Sequence, residues 1–216
     1  CSFCATGKLG LIRNLSSYEI IDQIMWAIHH LAKEDKKLRN IVYMGMGEPL
    51  LNYTEVSDSI HIACNQKKLD LSNRRITVST CGIAPRIIDF ARDFPQVSLA
   101  ISLHAPNDEA RKKIMPVENT YPLNILMAAI DEYVSITNKR VFYEYIMING
   151  ITDRLEYAKE LGELLKGKLA HVNFIPYNPG EGTDSNGYLP TTKIIIKKFQ
   201  NTLDQYGIPS TIRHTM

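Results

Sequence analysis

Short apolar runs alternate with segments of helical period along this chain of 216 residues, and that alternation limits the fold more than any other feature. Repeated strand-then-helix units favour a parallel sheet covered by helices. The pattern predicts strands near Ile41 to Met44, Ile76 to Ser79, Val97 to Leu103, Val141 to Met147, Val172 to Ile175 and Thr211 to Arg213. A first helix opens on a capping box of Ser16 and Glu19, after which Ile20, Ile21, Ile24, Met25, Ile28 and Leu31 recur at helical spacing. Further helices are expected through about Glu55 to Cys64, Pro85 to Ala91, Leu123 to Val134, Leu155 to Leu165 and Ile194 to Tyr206. Asp153 and Glu156 should cap the penultimate helix and Gly167 end it, while Gly207 and Pro209 stop the last. His104 to Pro122 and Asn178 to Pro190 read as longer loops bordering the working face. An open or closed α/β barrel fits, because such folds bind ligands at the carboxyl ends of their strands.

With 44% apolar and 22% charged residues the chain reads as one soluble globular domain. No stretch approaches the ~20 apolar residues of a membrane span, so the expectation is a cytoplasmic protein with no membrane partner. Four cysteines are too few for a disulfide scaffold in a chain of this size. Cys64 and Cys81 read as buried single thiols. Lys and Arg outnumber Asp and Glu by only 25 to 23, which does not by itself declare a nucleic-acid partner. Local clusters such as Lys36-Lys37-Leu38-Arg39, Lys67-Lys68, Arg111-Lys112-Lys113 and Lys197-Lys198 can contact phosphates or form solvated faces.

Chemistry concentrates at the strand ends. Cys1 and Cys4 have the CxxC spacing that lets one turn present two thiolates to a metal ion or an iron–sulfur cluster. A metal-ligand pair abutting the chain start leads us to expect a piece of a longer protein. In Gly45-Met46-Gly47-Glu48-Pro49 the glycines let backbone approach a ligand and Glu48 offers a carboxylate to an ammonium; a tight turn with its glutamate in water is the alternative. Ser79 and Ser102 offer hydroxyls to a ribose or carboxylate, or cap the next segment. His104 follows an apolar strand, where an imidazole is often a hydrogen-bonded packing residue. Asn178 can read an adenine edge or a ribose, or make an Asx-turn. Their convergence on one rim favours a ligand site.

Taken together, Cys1-Ser2-Phe3-Cys4-Ala5-Thr6-Gly7, Met44-Gly45-Met46-Gly47-Glu48-Pro49-Leu50-Leu51-Asn52, Ser102-Leu103-His104-Ala105-Pro106-Asn107-Asp108 and Ile175-Pro176-Tyr177-Asn178-Pro179 resemble the radical S-adenosylmethionine superfamily, and within it the RlmN/Cfr family of RNA adenosine methyltransferases. Glu144-Tyr145-Ile146-Met147 and Ile114-Met115-Pro116 fit the same family. Glu48-Pro49 and Phe174-Ile175-Pro176 look more like its housekeeping C2-methylating branch than its C8-methylating resistance branch.

The resemblance implies an α/β fold, a partial (β/α)6 barrel whose first strand and cluster-loop start are missing from this chain. It implies a 4Fe-4S cluster, with Cys1 and Cys4 matching the second and third cysteines of a CxxxCxxC loop, and S-adenosylmethionine on the fourth iron. By the family pattern Gly47 and Glu48 hold the methionine amino group, Ser79 and Asn178 contact the cofactor, and Ser102, Leu103 and His104 line its site. The family carries the methyl group on a cysteine downstream of the barrel and resolves the protein–RNA adduct through a disulfide with a cysteine upstream. Neither maps onto Cys64 or Cys81. Implied partners are 23S rRNA and tRNA, read with an N-terminal RNA-binding domain, and an electron donor such as flavodoxin; a monomer is expected. A different radical enzyme sharing the barrel is one rival. A zinc-binding RNA or protein adaptor is another, although no second CxxC supplies the other half of its site.

Overall fold

The computed structural model describes residues 1–179 and 187–213. Six strands form one sheet in chain order, β1 (Ile41–Tyr43), β2 (Ile76–Thr80), β3 (Ser98–Ser102), β4 (Val141–Met147), β5 (Ala170–Pro176) and β6 (Ser210–Ile212). All neighbours are parallel. Sequential order with every strand parallel is barrel topology, and among the described residues β1 and β6 do not pair, so the barrel is open between them.

The helices are α1 (Ala5–Leu9), α2 (Ser17–Ala32), α3 (Tyr53–Cys64), α4 (Ala84–Asp93), α5 (Asp108–Ile114), α6 (Leu123–Thr137), α7 (Leu155–Leu165) and α8 (Lys193–Gln205). Strand alternation decides what each face carries. Val78, Leu99, Ile101, Val141, Tyr143, Tyr145, Val172 and Phe174 join Ile60, Ile87, Phe90, Leu126, Leu161 and Phe199 in one apolar core between sheet and helices. The intervening residues face the lumen, and they are mostly polar: Thr77 and Ser79, Ser98 and Ser102, Glu144, His171 and Asn173, Thr211. Parallel strands buried on both faces normally read as unbroken apolar runs; the polar residues on this inner face depart from that pattern.

Most predicted boundaries hold within two or three residues, and the Ser16/Glu19 capping box is present at the start of α2. Three expectations need correction. His104 to Pro122 is not a plain loop: it contains α5, whose N-cap Asn107 accepts from the Ala110 N–H. Asp153 does not cap α7, since its carboxylate accepts instead from the Gly150 N–H and the Thr191 hydroxyl. Cys64 and Cys81 are half-buried rather than enclosed. Part of the expected loop from Asn178 to Pro190 lies outside the described residues. Among the described residues no helix is long and apolar enough to cross a membrane.

Candidate functional site at the carboxyl rim

The residues singled out from sequence do gather at the carboxyl ends of the strands. After β1 the chain turns through Gly45 and Gly47, the latter at φ +82°, a conformation that favours glycine. Space beside both glycines is open, with nothing within 4 Å of where a Cβ would stand. Glu48 then ties this turn to its neighbour: one carboxylate oxygen accepts from the Leu50 N–H at 3.0 Å and the other from the Cys81 N–H at 2.7 Å, just past β2. A carboxylate has about four lone-pair sites, so both oxygens retain capacity for an ammonium. Burial, then the adjacent Glu48, pushes the Cys81 thiol well up, which makes it a poor nucleophile.

His104 is the best-determined member of the site. Its φ of +61° is unusual for a non-glycine residue, and it is held there from two sides. The N–H groups of Leu103 and His104 both donate to the Glu144 carbonyl at 3.1 Å, and His104 Nδ1 accepts from the Ile146 N–H at 3.1 Å. An accepting Nδ1 puts the ring proton on Nε2. Burial, reinforced by Arg111, lowers the imidazole pKa to about 3, so the ring is neutral at physiological pH and is not a proton shuttle there. Its role is positional: the ring meets Phe3 edge-on, with centroids 4.9 Å apart.

Phe3 lies inside the CxxC turn, so this contact seats the cysteines on the barrel. Phe3 also packs against the small cluster of Ile146, Ile148 and Tyr177. Ser2 adds two polar anchors, its N–H donating to the Ile114 carbonyl at 2.9 Å and its hydroxyl accepting from Tyr188 at 2.9 Å. The turn is closed by the Cys4 N–H donating to the Cys1 carbonyl, and Cys4 Sγ accepts from the Gly7 N–H at 3.3 Å. Two free thiols on one anchored turn, one already supported by an N–H···S bond, fit a soft, thiolate-bound iron–sulfur group. Among the described residues no three His, Cys, Asp or Glu side chains converge, so the four-ligand site of a zinc adaptor is not assembled from them. All four cysteines are free, and the disulfide implied by the resemblance was assigned to none of them.

Ser79 is buried and Ser102 half-buried on the lumen face, whereas Asn178 is exposed at the rim beyond β5. Leu103 sits differently, its side chain belonging to the core behind the sheet, so it reaches the site only with main chain. Sequence reasoning missed two features. Arg111, read as a possible phosphate contact, is 0% exposed and buried under the rim, where it donates to the Leu103 and Cys81 carbonyls and pairs with Glu118. Glu144 is also buried, inside the lumen on an apolar strand, and only its register beside Ser102 and Asn173 reveals it.

A family profile described as the radical SAM superfamily matches residues 1–165. The chain belongs to the radical SAM superfamily. Membership carries the cofactors of that family, a 4Fe-4S cluster and S-adenosylmethionine. The chain is 45% identical over 213 residues to a Thermus thermophilus protein named as a probable dual-specificity RNA methyltransferase RlmN, covering 99% of this chain and 59% of that one. An Enterococcus faecalis protein of the same name is 45% identical, covering 99% and 60%. Among solved structures, a radical SAM methyltransferase from Sphaerobacter thermophilus superposes with a TM-score of 0.95 at 42% identity, covering 99% of this chain and 62% of that one. The chain thus spans about three fifths of the length of the curated relatives it matches.

Proposed function

We propose that this chain is the barrel core of a radical SAM methyltransferase that places a methyl group on C2 of an adenosine in 23S rRNA and in tRNA. The observation that carries the reading is 45% identity along 99% of the chain to a relative named as a dual-specificity RNA methyltransferase. When bound, the cluster and S-adenosylmethionine supply one-electron chemistry able to functionalise an adenine carbon too unreactive for polar methyl transfer.

The chain's own residues do the binding and positioning. Cys1 and Cys4 give two cluster thiolates, Phe3 and neutral His104 fix their turn, and Gly47 with Glu48 receives the amino group of the cofactor. Ser79, Ser102 and Asn178 offer polar contacts around the remainder, and Leu103 contributes backbone. We assign the third thiolate, the methyl-carrying cysteine, its resolving partner and an RNA-binding domain to residues outside these 216. A cytoplasmic, monomeric enzyme fed by an electron donor such as flavodoxin belongs to the same reading.

Mass analysis of nucleosides from RNA incubated with the full-length protein tests it. The expected product is 2-methyladenosine. Detection of 8-methyladenosine moves the protein to the resistance branch, and recovery of unmodified RNA from a cluster-loaded, reduced enzyme overturns the assignment.

A further inference from the structure

The lumen contains a polar belt running across three strands and ending on an incomplete acceptor. Strand register sets Ser102, Glu144, Asn173 and Thr211 side by side on β3 to β6. The Thr211 hydroxyl donates to Asn173 Oδ1 at 2.6 Å, and Asn173 Nδ2 donates to Glu144 Oε1 at 2.9 Å. With its proton committed to Asn173, Thr211 Oγ1 is left to accept from His171 Nε2 at 3.1 Å, so the belt has one direction, from His171 toward Glu144. Arg213, just past β6, donates to the same Glu144 Oε1 at 3.1 Å. The two donors that reach Glu144, from Asn173 and from Arg213, therefore land on one oxygen. Among the described residues Glu144 Oε2 has no hydrogen-bond partner, although its side chain is only 2% exposed.

A buried carboxylate oxygen without a donor is costly, about 1–3 kcal/mol or more, and native structures retain such groups mainly where something else completes them. The surroundings favour completion by a ligand. Strand register puts Glu144 level with Ser102 on the lumen face. At this level Arg213 reaches from Glu144 to the Met44 sulfur beyond β1, at 3.4 Å. That bridge across the gap between β1 and β6 is a weak contact to a thioether, made by a half-exposed side chain.

We propose that Glu144 is a ligand-binding residue of the lumen, with Oε2 accepting a hydrogen bond from a hydroxyl or amino donor of an adenosyl group. The inference rests on the radical SAM methyltransferase reading, which supplies two adenosyl groups, that of the cofactor and that of the substrate nucleotide. Arg213 already offsets the charge of Glu144, so the missing partner is a neutral donor rather than a second cation.

The test is equilibrium binding by the full-length, cluster-loaded protein, wild type against Glu144→Gln, with melting temperature as a fold control. The amide oxygen can keep the bonds from Asn173 and Arg213 while its NH2 replaces the acceptor, so the variant should fold. Against S-adenosylmethionine, affinity should fall about ten- to a hundredfold, the equivalent of one lost hydrogen bond to a charged group. Analogues lacking the ribose hydroxyls or the 6-amino group should erase the difference for whichever donor is used. If cofactor affinity is unchanged but affinity for an adenosine-containing oligoribonucleotide falls, the donor belongs to the substrate. Equal affinities of both proteins for both probes overturn the proposal, with Glu144 then a structural terminus. A wild-type protein that binds neither probe overturns the proposal together with the reading on which it rests.

Discussion

Two arginine–carboxylate pairs lie within the barrel, and they are built to opposite ends. Arg111 and Glu118 are enclosed beneath the rim, 0% and 2% exposed, and each side-chain nitrogen and carboxylate oxygen has a partner. Arg111 holds the carbonyls that follow β2 and β3, while Glu118 also accepts from the Leu123 N–H at the start of α6. Arg213 and Glu144 meet in the lumen, with the arginine 46% exposed and one carboxylate oxygen unpaired among the described residues. A buried charge whose hydrogen bonds are all satisfied within the protein has nothing left to offer a ligand and serves as scaffold. A buried charge left incomplete beside a cavity is available for recognition.

The comparison breaks most visibly at Arg111. Replacing it with Met removes the guanidinium and strands Glu118 and two carbonyls, so equilibrium unfolding in urea should show a loss of about 3–5 kcal/mol. Near-wild-type stability would mean that the enclosed pair is dispensable and that the rim is held by other bonds. Glu48 comes next, because its side chain joins two rim turns and, in the proposed reading, also receives the cofactor's amino group. Glu48→Ala should cost about 1–3 kcal/mol from the bonds to Leu50 and Cys81 and also weaken S-adenosylmethionine binding about ten- to a hundredfold. A variant with reduced stability and unchanged titration by the cofactor would make Glu48 scaffold alone.

Glu144 sharpens the contrast through pH. Burial raises its pKa above the ordinary carboxylate value of 4.5, with Asn173 and Arg213 only partly opposing the shift. A group whose pKa is raised on folding adds stability below the unfolded value, and that contribution is lost as pH rises through the folded value. Relative to Glu144→Gln, the wild type should therefore be favoured in acid and lose ground from about pH 4.5 upward, with the two within about 1 kcal/mol at neutrality. Parallel stability–pH curves for the two proteins would show that the carboxylate is not held in the raised state.

How much of this was legible in the sequence depended on the range of the signal. The Ser16/Glu19 cap, the limits of β4 and the glycine turn before Glu48 rest on local pattern, and they stand where the pattern put them. Arg111 was misread because three consecutive basic residues look alike in one dimension, whereas on α5 one turns inward and Lys112 and Lys113 turn to solvent. Glu144 carried no local signal as a site residue. Its meaning comes from partners 29 and 69 residues away, brought together by sheet register and the barrel's curvature. Asp153 has the right spacing for a cap, but the bonds it makes to Gly150 and Thr191 take precedence over that local role.

The smallest expected effect concerns the outward face of α5, where the structure divides the basic run into scaffold and candidate RNA contact. Lys112 and Lys113 remain exposed, and Lys113 pairs with Glu109 one turn away on the same helix. Exposed pairs of that kind contribute little to stability, so Lys112→Gln with Lys113→Gln should leave the unfolding midpoint almost unchanged. If the face meets RNA, each lysine lost from a phosphate should lower the slope of log affinity against log salt by about 0.7 to 0.9, or up to about 1.8 for both. Titrating full-length protein against substrate RNA across a salt series measures that slope directly. An unchanged slope would make the outer face of α5 a solvated surface and leave RNA contact to other parts of the protein, while Arg111 beneath it would retain its structural role. A flattened slope with intact stability would show one seven-residue helix serving both ends, its buried arginine fixing the rim and its two lysines meeting the nucleic acid.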